Sequence, residues 1–134
     1  MIKLIIGEKG TGKTKELLKF INEANKSSKG DVVCVDKGTK LTYDLPHKTR
    51  LINLEEYKIS CSLSFYGLVT GLLAGNYDIT HIFVDSILKV VGRDYDALGN
   101  MFEKLDSVLG DVSLILTVSA DKGSLPQSVL KYVD

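Results

Sequence analysis

Gly7-Glu8-Lys9-Gly10-Thr11-Gly12-Lys13-Thr14 puts three glycines, a lysine and a hydroxyl in the spacing G-x-x-x-x-G-K-[ST], a set suited to gripping a polyphosphate. A loop that wraps an anion with backbone N–H groups needs backbone angles and close approaches that a Cβ blocks, which is what glycine supplies. A helix opening directly behind such a loop turns its electropositive end toward the same anion. Lys13 adds a mobile ammonium for the β- and γ-phosphates, and the Thr14 hydroxyl is placed to ligate a Mg²⁺ riding on them. The expected ligand is a nucleoside triphosphate with Mg²⁺. Its phosphate contacts would fall on Gly7, Glu8, Lys9, Gly10, Thr11, Gly12, Lys13, Thr14 and Lys15, with Lys13 also serving catalysis. A hydrated Mg²⁺ further calls for a carboxylate to hold its waters, and Asp85, ending the run Ile82-Phe83-Val84, is the candidate beside Thr14.

These residues must be held by elements, and the apolar patterning supplies them. Strand-length runs occur at 2–6, 31–35, 50–54, 81–84 and 112–118, nearly continuous in Val, Ile and Leu, as strands covered on both faces require. Helical periodicity lies between them. It predicts helices at 13–25, at 63–74 with Leu63, Tyr66, Leu68, Val69, Leu72 and Leu73 as its stripe, and at 94–109 with Asp94 as cap. A last helix is predicted at 124–132, opened by a Ser124-x-x-Gln127 capping box with Pro126 in its first turn. Strands alternating with helices predict a three-layer α/β/α domain with a mostly parallel five-stranded sheet, spanning 1–134 as a single unit. Ligands of such sheets sit beyond the carboxyl ends of the strands. The stretch 37–48 is the most loop-like and is expected to be mobile.

Composition narrows the classes. Seventeen basic side chains balance seventeen acidic ones, so no global field recruits nucleic acid or an anionic membrane. No run reaches membrane-spanning length, and Met1 to Gly7 is too short in apolar residues for a signal sequence. Cys34 and Cys61 are too few for a disulfide scaffold and read as buried thiols of a cytoplasmic protein.

With the glycine loop and the Asp85 strand together, the chain resembles the P-loop NTPase superfamily over the whole domain. An extra strand region between the two motifs resembles the additional-strand branch that includes RecA-like and motor ATPases. Within it the sequence is similar to small bacterial ATP-binding proteins labelled as twitching-motility ATPase relatives. The resemblance implies nucleotide binding and not motility, since motility ATPases carry a further amino-terminal domain and histidine motifs absent here. It also implies that the strand after the metal aspartate ends in a polar γ-phosphate sensor, Thr117 or Ser119. Many members follow that aspartate with a water-polarising glutamate, and position 86 is serine instead. RecA-like relatives place an acid at the end of the neighbouring strand, which makes Asp36 a candidate base. Glu55 and Glu56 are the others.

Three activities remain open on these residues: a slow or partner-stimulated ATPase, a non-hydrolysing nucleotide-sensing module, and a small-molecule or nucleotide kinase with Asp36 as base. Arg50 and Arg93 are the only arginines, few for a kinase that must grip an acceptor phosphate. Arg93 is placed to reach a neighbouring subunit's nucleotide, so a homo-oligomer or a protein partner is a further expectation. ATP is expected over GTP, because Ala120-Asp121-Lys122 lacks the leading residues of an Asn-Lys-x-Asp guanine reader.

Overall fold

β-Branched and leucine-rich runs form five strands in the computed structural model, which describes residues 1–133. They are β1 (Ile2–Gly7), β2 (Asp31–Asp36), β3 (Arg50–Asn53), β4 (Ile79–Val84) and β5 (Ser113–Ser119). All pair in parallel, in the order β1-β5-β4-β2-β3. Side chains alternate between the two faces of the sheet, as the period of a strand demands. On one face Leu4, Val33, Val35, Ile82, Val84, Leu114 and Leu116 join a core with Phe65 and Phe102. On the other, Ile5, Val32, Cys34, Phe83 and Ile115 join Leu17, Ile21 and Leu41. Two buried faces explain why the strands read as unbroken apolar runs.

Helix α1 (Lys13–Ser27) covers the second face with Leu17, Ile21 and Ala24. Helices α2 (Ser62–Gly75) and α4 (Tyr95–Leu109) cover the first, joined by the single turns α3 (Leu88–Val91) and α5 (Gln127–Leu130). The domain is therefore a three-layer α/β/α sandwich with an all-parallel sheet. Asp94 caps α4 by accepting from the Ala97 amide at 3.1 Å. The chain end flanks the free edge of β1, where the Leu4 amide donates to the Tyr132 carbonyl at 3.0 Å. No helix among the described residues is long and apolar enough to cross a membrane.

Several expectations change. The Ser124-x-x-Gln127 box does not form, because Asp121 takes the Gly123 and Ser124 amides for a 3-10 turn at Lys122–Ser124. Buried Leu125 is then drawn out in extended conformation, so the helix starts only at Gln127. In α2 the residues fully buried are Phe65 and Val69, while Leu63, expected in the stripe, is 78% exposed. Periodicity misplaced that face because apolar residues surround the helix. Cys61, expected buried, is exposed at the cap of α2, whereas Cys34 is buried in β2. Residues 37–49 do form a loop of successive turns, but Leu41 within it is 2% exposed and belongs to the α1-side core.

The thiols should differ sharply in reactivity. Burial pushes the Cys34 thiol up to about 12, with the Asp36 and Asp85 charges adding to it, whereas hydrogen bonding to Ser64 lowers Cys61 below the ordinary thiol value. A thiol-specific reagent counted spectrophotometrically is expected to modify Cys61 in the native protein and Cys34 only after denaturation.

Candidate functional site

The strand register sets the site. Ile5 pairs with Thr117 and Gly7 with Ser119, Val84 pairs with Leu116, and Val35 pairs with Val84. The carboxyl ends of β1, β5, β4 and β2 therefore lie level. They bring the glycine loop, Thr117, Asp85 and Asp36 to one end of the sheet, with β5 between the loop strand and the Asp85 strand.

The loop from Gly7 to Thr14 owes its shape to its glycines. A Cβ at Gly7 would lie 2.6 Å from the Thr11 hydroxyl oxygen, so the Thr11 side chain would have to shift and give up its bond to the Glu8 carbonyl. Gly10 and Gly12 have φ of 86° and 85°, left-handed values that L-residues enter only with strain. Gly12 is also the N-cap residue of α1, and it has no side chain with which to cap the first turn. Among the described residues no acceptor reaches the amides of Lys13, Thr14 or Lys15. Those donors and the helix dipole face the same space, which fits an anion. The Lys13 side chain is buried along the loop, and its ammonium donates to the Glu8 carbonyl at 2.8 Å. The Thr11 hydroxyl donates to that same carbonyl at 2.7 Å. Lys15 is exposed on the helix.

Across from the loop, the Thr14 hydroxyl stands 3.3 and 3.2 Å from the two carboxylate oxygens of Asp85. Asp85 is 1% exposed. Its Oδ1 accepts from the Thr117 hydroxyl at 2.7 Å, and the Thr117 oxygen in turn accepts from the Ser86 amide at 2.6 Å. Ser86 reaches that amide position with φ of 57°, a strained left-handed conformation at the end of the strand. Thr117 is fully buried behind Asp85, while Ser119 lines the open cleft. Lys40, from the loop after β2, places its ammonium 3.4 Å from Asp85 Oδ2.

These groups surround a cleft of about 780 Å³, ample for a nucleotide-sized ligand. Lys9, Lys13, Lys40, Lys89 and Arg93 contribute positive charge to its wall, and Glu8, Asp85 and Asp121 the negative. Arg93 faces this chain's own cleft, its guanidinium donating to the Ser119 carbonyl at 3.3 Å. Arg50 begins β3 and so lies at the opposite end of the sheet. Glu55 and Glu56 follow β3 at the far edge, outside the cleft lining. No group of three or more His, Cys, Asp or Glu side chains among the described residues could chelate an ion unaided.

Asp36 is the unusual acid of the set. It ends β2 beside the Asp85 strand and is 1% exposed. Its Oδ1 accepts from the Lys37 amide at 2.8 Å, while Oδ2 is buried without a hydrogen-bond partner. Burial pushes the Asp36 carboxyl above the usual range. Lys40 pulls the other way, and the Asp85 charge adds to the rise. Because its folded pKa exceeds its unfolded one, folding takes up a proton here, and this residue's contribution to stability falls as pH climbs through the window above the ordinary carboxylate pKa. Asp36→Asn is expected to remove that slope and to be more stable than the parent at neutral pH. Urea unfolding followed between about pH 4 and 7 checks it, and a variant that loses stability at neutral pH would contradict the burial argument.

The motif locates Gly7 to Thr14 and Asp85, and the fold gathers them. Lys40 and Lys89 carry no sequence signal; only the β2–β4 pairing brings the first of them to Asp85. No protein-family model matches the chain, and comparison with curated proteins finds no match either.

Proposed function

We propose that the protein binds ATP with Mg²⁺ at the Gly7 to Thr14 loop and acts as a slow or partner-stimulated ATPase. The observation that carries this reading is the meeting of Thr14 and Asp85 within 3.3 Å at the mouth of a glycine cradle whose helix amides lack protein acceptors. The sheet order supports it too, because a strand lies between the loop strand and the Asp85 strand, as in the additional-strand ATPases that the sequence resembles.

The amides behind Gly12, together with the Lys13 ammonium, would hold the phosphates. Lys13 must exchange its Glu8 carbonyl for phosphate oxygen, and a charge-assisted bond to an anion favours that exchange. Thr14 would ligate the ion directly and Asp85 would hold its waters, with Thr117 fixing the carboxylate. Mg²⁺, when bound, neutralises charge developing on the transferred phosphoryl group. Asp36 ends the strand paired with that of the metal carboxylate, and its raised pKa suits a group that takes a proton.

One observation favours a second reading, that of a non-hydrolysing nucleotide sensor. Ser86 stands where a water-polarising glutamate is common, and Asp36 lies behind the cleft wall rather than on it. Phosphate release from ATP with Mg²⁺ separates the two. Slow turnover lost in Asp36→Asn supports the ATPase, and ATP binding with no turnover supports the sensor. Absence of ATP binding overturns both.

A further inference from the structure

Lys40 lies outside the phosphate motif, yet its ammonium stands 3.4 Å from Asp85 Oδ2, the oxygen that also faces the Thr14 hydroxyl at 3.2 Å. We propose that Lys40 is an internal counter-cation of the metal carboxylate, balancing Asp85 until a divalent ion arriving with the nucleotide displaces it. The inference rests on the ATP·Mg²⁺ reading and adds a residue that sets how strongly binding depends on the metal.

Two carboxylates, each 1% exposed, end the adjacent strands β2 and β4. Buried charges of one sign at neighbouring strand ends require compensation. The Thr14 and Thr117 hydroxyls and the Lys37 amide give neutral donors, and Asp36 Oδ2 has none. Lys40 supplies the positive charge. Its position also allows withdrawal. The side chain is 50% exposed, and an ion pair with one half-exposed member is weak enough for a divalent cation to break. Leu41, buried beside it, anchors the backbone while the flexible lysine stem remains free to swing. Lys40 thus takes the electrostatic part of the ion without its coordination geometry.

The consequence is a definite pattern of affinities. Without Lys40, a metal-free triphosphate meets an uncompensated Asp85 carboxylate and binds more weakly, whereas a nucleotide carrying Mg²⁺ brings its own compensation and meets no competitor. The ratio of affinity in Mg²⁺ to affinity in EDTA should rise.

Calorimetric titration of the full chain with the non-hydrolysable imido analogue of ATP, in excess Mg²⁺ and in excess EDTA, tests this in wild type and Lys40→Gln. The expected result is a ratio at least about 10-fold larger in Lys40→Gln, and no effect of that substitution on the ratio in an Asp85→Asn background. An unchanged ratio with weaker binding in both media would make Lys40 a direct phosphate contact and overturn the proposal. A wild type that binds only with Mg²⁺, or a ratio that still shifts in Asp85→Asn, would also overturn it. A wild type that binds in neither medium would sink the nucleotide reading itself, and this inference with it.

Discussion

Lys13→Ala is expected to weaken ATP·Mg²⁺ binding by about 10²- to 10³-fold and to leave the fold standing. The loss follows from the side chain's position. Lys13 opens α1 behind the left-handed Gly12, with its stem buried along the loop and its ammonium 2.8 Å from the Glu8 carbonyl. From there a small rotation delivers it to bound phosphate, where hydrogen bonds to a charged partner contribute about 1.5–3 kcal/mol each. Two such bonds near the lower bound account for the range. The cost to stability should be small, because alanine is a better helix former and the Glu8 carbonyl sits in an exposed loop that water can reach. Titration calorimetry with thermal unfolding as a control decides the matter. Affinity retained within about threefold would contradict the assignment.

Thr117→Val should destabilise the protein by about 2–4 kcal/mol, a large share of the ~5–15 kcal/mol typical of a domain. Valine matches threonine in shape but lacks its hydroxyl. Thr117 is 0% exposed and bridges Asp85 Oδ1 to the Ser86 amide, so the substitution leaves a buried carboxylate one donor short and a partly buried amide without its protein acceptor. Each unsatisfied buried group costs about 1–3 kcal/mol. Ser86 worsens the loss, since its φ of 57° is strained and the bond from its amide is one of those that hold the turn. Thr117→Ser should recover most of the stability. Urea denaturation of the three proteins measures the effect, and a valine variant as stable as the parent would refute the bridge. Because Asp85 loses a positioning bond, the Mg²⁺ dependence of nucleotide binding should weaken in parallel.

The contrast between Thr117 and Asp85 shows what was legible in the sequence. Asp85 follows the apolar run Ile82-Phe83-Val84 that ends β4, and an acid in that place has few uses besides a cap or a metal. The Gly7 to Thr14 loop is contiguous, so its left-handed glycines and the helix start behind them were legible locally. Thr117 reads as a strand end meeting solvent or phosphate, and only the β1–β5–β4 pairing shows it buried behind Asp85. Lys40 is more remote, forty-five positions before Asp85 in sequence, and the register of β2 against β4 creates its contact. The strands were legible because both sheet faces are buried. α2 was not, since apolar residues all around a helix erase the periodic signal that would tell which face packs. The Ser124 box failed because Asp121 takes the Ser124 amide that the Gln127 side chain would have to bond. Local patterns held where they had no rival nearby.

Amide chemical shifts of the isotope-labelled protein, followed while ATP and Mg²⁺ are added, test the central claim most directly. The account predicts saturable shifts greatest at Gly10, Gly12, Lys13 and Thr14, with smaller ones at Asp85 and Ser86 and little change along β3. A loop whose amides stay unmoved at millimolar ATP, or shifts confined to another surface, would contradict it.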